Sequence, residues 1–399
     1  MIDASTLVGA MRLEADHPLQ RLRQRALFVG IISLVLAAVG AWLDRPQFFR
    51  SYLIAFLFWT GIALGSMAIL MVQYITGGLW GATTRRLMES ATRTLPLIAV
   101  LFLPLVLGMH DLYEWTHPDV VAHDHLLQHK SVYLNVPFFL GRAAFYFAVW
   151  LIVAWLLNRW SMEQDEAPSF SVGKRLHYLS RGGLLLYTLT MTFAAIDWVM
   201  SLEPHWYSTI YGILLIGGQV LTAMAFVIPV VALLGADQQR AQIFSPSILH
   251  DLGNLLLGFI MLWAYFSLSQ FLIIWAGNLP EEIPWYLKRL EGGWQWIGVA
   301  LIIFHFALPF AALLSRDLKR NRRALTMVAV TVLLFRFVDL YWLVTPVFSP
   351  SQLSLHWLDI ATFVGIGGLW FATYVWCLQG RALLPQNDPA FLLVEGEPR

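Results

Sequence analysis

The sequence predicts an all-α, polytopic membrane protein with about ten transmembrane helices. Three observations carry that reading. Hydrophobic residues fill 58% of the 399 positions and charged residues only 13%, about half the charged share of a soluble domain. Mean hydropathy is +0.64. Mostly apolar runs long enough to cross the hydrocarbon, which takes about 20 residues, recur along the chain between short polar connections.

The first run, at about 26–43, follows a charged segment and lacks a small-residue cleavage site. It reads as a retained helix rather than a signal peptide. A second run at about 52–75 carries Gly61 and Gly65 at the spacing that lets helix backbones approach closely. The third, at about 95–110, is short and contains Pro96 and Pro104, which membrane helices tolerate where neighbours satisfy the freed carbonyls. Further runs follow at about 137–157, 182–200, 208–233, 252–276, 294–314, 324–344 and 356–378. The domain organisation is therefore a cytoplasmic N-terminal segment 1–25, a membrane domain 26–378 and a cytoplasmic tail 379–399. The polar run Met162–Ser171 reads as a mobile part of the longest connection on that side.

Lysine and arginine set the orientation. One set of connections holds Arg12 to Arg25, Arg85 to Arg93, Arg159 to Arg181, Arg240, Arg316 to Arg323, Arg381 and Arg399. The alternate set holds Arg45, Arg50, Lys130, Lys288 and Arg289, while Arg142 and Arg336 fall inside spans. This asymmetry puts both termini in the cytoplasm. The net charge of +1 points to no nucleic-acid partner. The lone Cys377 excludes disulfides within the chain, cysteine-ligated iron–sulfur clusters and CxxCH haem attachment.

The junction Asp197–Thr209, between the fifth and sixth runs, gathers two carboxylates, an imidazole, two tryptophans and Pro204 at the outer membrane boundary. Other ionisable groups sit at comparable depth. Arg142 lies in the fourth span, Arg336 and Asp339 are three apart on the ninth, and His356 and Asp359 are three apart at the start of the tenth. That spacing places each pair on one helical face. His305 is near the middle of the eighth span, and Asp251 is at the cytoplasmic start of the seventh beside His250.

Two readings of this set stay open. Structural ion pairs would join Arg142 and Arg336 to Asp197, Asp339 or Asp359, because a buried charge needs a partner. Alternatively the set marks a proton path, the default role of ionisable residues in a membrane. Asp197, His205, Asp339, His356 and Asp359 would then form an outer route, with Asp251 and His305 on an inner one and the two arginines keeping carboxylates ionised. The loop 111–136 contains His123-x-His125-x3-His129, a metal-compatible spacing, but it reads as a solvated or partner-facing loop with no metal. His305 has no second mid-span histidine to complete a haem ligand pair.

The segment Asp197-Trp198-Val199-Met200-Ser201-Leu202-Glu203-Pro204-His205-Trp206-Tyr207-Ser208-Thr209-Ile210-Tyr211-Gly212 resembles a signature of the NrfD-like membrane subunits of bacterial alternative complex III, a quinol:cytochrome c oxidoreductase. So do His117-Pro118-Asp119-Val120-Val121-Ala122-His123-Asp124 with the Leu127–Asn135 stretch, and the tail Pro385-Gln386-Asn387-Asp388-Pro389. The similarity runs from about 50 to 390. The first span and short termini are more like the smaller of the two paralogous NrfD-like chains of that complex than the larger. The resemblance implies two four-helix bundles, made of the second to fifth and sixth to ninth helices. It also implies a membrane subunit of a respiratory or photosynthetic complex in the bacterial inner membrane. Quinol or menaquinol would be oxidised at the outer side. The haem c and iron–sulfur clusters would sit in partner subunits: an iron–sulfur protein, a multihaem cytochrome c and a paralogous NrfD-like subunit. The chain itself would bind no redox cofactor, and would be quinone-binding, proton-conducting or both. A secondary transporter and a purely structural scaffold are the alternatives; transporters favour broken helices and midplane sites, whereas the charges here sit outward.

Overall fold

The structure, a computed structural model, describes Leu13 and residues 17–166, 170–236, 243–379 and 381–385. Arg12, Arg240, Arg399 and the Gln386–Pro389 part of the tail motif lie outside the described residues. Ten helices are long and apolar enough to cross a membrane: α1 Pro18–Leu43, α2 Arg45–Thr76, α3 Leu79–Leu107, α4 Val136–Glu166, α5 Ser171–Leu202, α6 Tyr211–Leu234, α7 Pro246–Gly277, α8 Trp294–Leu314, α9 Arg322–Phe348 and α10 Trp357–Gln379. The chain is thus an all-α, multi-pass membrane protein. Its apolar exterior fits this: Phe28, Trp42, Leu107, Phe145, Trp155, Leu185, Tyr265, Ile302, Leu334 and Trp376 all point outward. A water-soluble surface does not carry apolar exposure on that scale.

The helices α2–α5 pack on one another as one bundle and α6–α9 as a second. The bundles meet chiefly where α2 lies against α6, and α1 and α10 pair with each other on the flank of α2. Because α2 touches neighbours all round, it is buried along most of its length. Its sequence is apolar on every face rather than striped, as such a position requires. A Cβ added to Gly65 would lie 2.1 Å from the carbonyl oxygen of Gln219 on α6. Glycine is needed there because two backbones occupy the space a side chain would take.

The connections fall at two ends. The basic end joins α2 to α3, α4 to α5, α6 to α7 and α8 to α9. The aromatic end carries the loops 108–135, 203–210, 278–293 and 349–356. At the basic end Gly77 and Gly78, at φ +72° and +104°, turn the chain directly into α3.

Two expectations are corrected here. The third span begins at Leu79 instead of about 95, and every residue from Gly81 to Thr92 is buried. Arg85 and Arg86 therefore belong to a helix, not to a connection. Hydropathy misses this segment because its charges are neutralised inside the fold: Glu89 accepts from Arg86 at 2.6 Å and from Ser161 at 2.5 Å, and Arg86 also pairs with Asp165. Breaks in α3 after Thr92 and Leu101 fall just before Pro96 and Pro104. The second correction concerns Met162–Ser171. Met162–Glu166 is the last part of α4 rather than a mobile loop, and 167–169 lie outside the described residues.

Candidate functional site

The interior of the second bundle brings together residues from all four of its helices. Arg336 and Asp339, one turn apart on α9, form an ion pair that is nearly excluded from solvent, at 2% and 4% exposure. The indole Nε1 of Trp263 on α7 donates to the same carboxylate at 3.1 Å. The guanidinium lies against Gly218 of α6, where a Cβ would come within 2.2 Å of it. Burial of two charges is repaid only when pairing and hydrogen bonds are good. Here the arginine and the indole N–H supply that compensation.

His305 completes the group from α8. Its ring packs edge-on against Trp263, with centroids 4.4 Å apart. It is fully buried, within electrostatic range of Arg336, and neither ring nitrogen has a hydrogen-bond partner among the described residues. The backbone around it is unusual, because Leu301–Ala307 is a π-helix inside an otherwise α-helical span. Pro309 lacks an N–H and cannot donate to the carbonyl of His305 four residues earlier, so the α-register fails at this point. Such π segments gather at functional sites. On α7, Gln270 lies two turns from Trp263 on the same inward face and is also buried, with neither amide atom partnered among the described residues.

The first bundle holds a different arrangement. Asp197 at the end of α5 accepts from Arg142 Nε and Nη2, both at 2.9 Å, and from the Tyr146 hydroxyl at 2.8 Å. Arg142 also donates to the Tyr133 carbonyl at 3.0 Å and lies 3.8 Å above the Tyr133 ring. Each charge here is clamped by several partners. The geometry is that of a helix tie, in agreement with the ion-pair reading for this residue pair.

At the aromatic end, loops around Glu114, Pro204 and Trp285 enclose a cleft of about 470 Å³. Trp206 and Trp285 stack within it at 5.0 Å, and Lys288 donates to Glu203 at 2.6 Å. Arg289 is fully buried beneath the cleft. It lies 3.6 Å above the Trp285 ring and donates to the carbonyls of Trp285, Trp342 and Leu343 at 2.7, 3.1 and 2.7 Å. Burial pushes its pKa down, against the opposing pull of Glu203. His205 sits on the outer rim, bonded to Asp124 at 2.6 Å. Tyr211, buried against Trp206 at the start of α6, lies within electrostatic reach of Glu203 and Arg289 and also of Asp339 and Arg336.

The remaining expected residues are separate from this group. His356 Nδ1 accepts from Leu358 N at 3.3 Å while Asp359 accepts from His356 N at 3.0 Å, a reciprocal cap on α10. Asp359 also accepts from Ser51 of α2 at 2.5 Å. Asp251 is half-exposed at the basic end, 3.7 Å from His250. Among the described residues no group of three or more His, Cys, Asp or Glu is placed to hold a metal. Two histidines of the aromatic-end loop bond to backbone: His117 reaches the His110 carbonyl and His123 the Asp119 carbonyl, each at 2.8 Å.

Sequence reasoning missed Glu89 and its network. The available signal was the three-residue spacing of Arg86 and Glu89, which a low-hydropathy window hides. Trp263 was also missed, since one tryptophan among 18 carries no mark of its hydrogen bond. No protein-family model matches this chain, and no curated protein matches it.

Proposed function

We propose that the chain is the membrane subunit of a quinol:electron-acceptor oxidoreductase complex in a bacterial inner membrane, with both termini in the cytoplasm. The aromatic end then faces the periplasm and docks the redox subunits, an iron–sulfur protein and a multihaem cytochrome c, beside a paralogous membrane subunit. The observation that carries this reading is the convergence of His305, Trp263, Arg336 and Asp339 in the second bundle. Quinol oxidation releases two electrons, which pass to a partner, and two protons, which need acceptors. A buried imidazole with both nitrogens open among the described residues, sharing Trp263 with the Arg336–Asp339 pair, suits a hydrogen bond to a quinol oxygen.

The experiment is His305→Phe in the assembled complex. Because neither ring nitrogen is bonded to a described residue, the substitution orphans no other group among them. Quinol turnover and proton release should fall by about a hundredfold, the usual scale for losing an acid–base group, with all subunits still present. Unchanged turnover and proton release would leave the scaffold reading. The fully satisfied Arg142–Asp197 pair favours a scaffold role for the first bundle by itself.

A further inference from the structure

At the basic end, α3, α4 and the segment after α10 enclose a cavity of about 310 Å³. Three arginines line it, Arg93, Arg159 and Arg381, and no described lining residue is acidic. The rest of its wall is Thr92, Pro96, Leu151, Ala154, Trp155 and Asn158. We propose that this cavity holds the phosphodiester headgroup of an anionic glycerophospholipid, with an acyl chain along the apolar furrow between α3 and α4. The proposal is independent of the quinol reading.

The arginines differ in how far they are already committed. Arg381 donates to Glu89 at 3.2 Å and to Asn158 at 2.9 Å. Arg93 donates one bond to the Cys377 carbonyl at 2.8 Å. Arg159 lies 5.1 Å from the Trp155 ring centroid, and no carboxylate among the described residues is paired with it. Its planar fork is suited to two phosphate oxygens at once. Glu89, the acid in contact with the group, is fully buried and shared between Arg86 and Arg381, so positive charge is left over at the cavity mouth. Burial lowers the pKa of Arg381, and the nearby charges of Arg93 and Arg86 lower it further against the pull of Glu89. An anion in the cavity would relieve that crowding.

A lipid, rather than a free anion, fits the position. The arginines sit where α3 and α4 leave the apolar zone. Directly toward the membrane centre, Val100, Ile152 and Trp155 are exposed at 60%, 57% and 56% and give a greasy track continuous with the charged cavity. Basic pockets between helices at a membrane boundary are the known form of headgroup sites. A cation over an aromatic face at that depth also holds the arginine near the interface.

The test is native mass spectrometry of the full chain in detergent after titration with phosphatidylglycerol or phosphatidylcholine. The expected result is preferential retention of phosphatidylglycerol. Arg159→Gln should lower it about fivefold, the worth of one arginine near an anionic headgroup. Leu151→Trp, which fills the cavity without touching a charge, should lower it by a similar factor. Arg175→Gln, on the same end but outside the cavity, should not change it. Equal retention of the two lipids, equal loss in Arg175→Gln, or full displacement by millimolar inorganic phosphate would each overturn the proposal.

Discussion

His305 is the residue whose environment says most. A buried polar group without a partner costs about 1–3 kcal/mol, and both of its ring nitrogens are open among the described residues. Phenylalanine at this position keeps the ring contact with Trp263 and removes the penalty. His305→Phe is therefore expected to raise the melting temperature of the isolated chain while it lowers turnover in the complex. A variant that lost both stability and turnover would make His305 a packing residue. Asp197 shows the opposite case. Its three hydrogen bonds leave it committed to Arg142 and Tyr146, so polarity at membrane depth marked both residues without telling which one is held by partners.

At the scale of the element, the π segment of α8 and the short helix His125–Lys130 make testable claims. Pro309→Ala restores an N–H that can donate to His305 O, which lets α8 continue in α-register and turns His305 away from Trp263. Turnover in the complex should fall as in His305→Phe, with assembly intact; normal turnover would show that the π register is incidental. In the aromatic-end loop, Asp124 caps helix His125–Lys130. The amide of Leu127, then the His205 ring, hold its carboxyl below the usual carboxylate range. A depressed folded pKa means the contribution is complete above about pH 4, the unfolded value, and is lost as pH falls through the lower folded one. The protection of the Leu126 and Leu127 amides against hydrogen exchange, relative to the unstructured chain at the same pH, should therefore hold down to about pH 4 and fall below it. Protection that is already lost nearer neutrality would assign the cap to His205 rather than to Asp124.

For the whole molecule, the decisive contact is between bundles. Gly65→Val would drive a side chain into the Gln219 backbone, which cannot yield without parting α2 from α6. Overpacking of this kind costs about 1–3 kcal/mol or more. Thermal melts in detergent should show a large loss for Gly65→Val and little change for Gly141→Val, where an added Cβ meets nothing within 4 Å. Similar melting of the two variants would mean that the bundles are not held at α2 and α6. The same packing explains why the expected outer proton route is divided. Asp197 is inside the first bundle, Asp339 inside the second and Asp359 on the α2–α10 flank, and no hydrogen bond or ion pair joins the three among the described residues.

Ten crossings, their alternation and the small-residue contact at Gly65 were legible in the sequence, because lipid demands long apolar helices and leaves that demand written in composition. The sequence also marked Asp197, His305, Arg336, Asp339 and Asp359 among the buried ionisable residues, since charge is rare at that depth. The start of α3 was not legible. Its Arg86 is tolerated by partners some 75 and 79 positions away, in Ser161 and Asp165, and a local window cannot register a distant partner. Nor could one sequence say that Arg336 takes Asp339 while Arg142 takes Asp197, or that His305 stays open. Hydrophobicity acts residue by residue and so is set by the sequence itself. Pairing depends on which helix faces come together, and only the packing of the two bundles decided that.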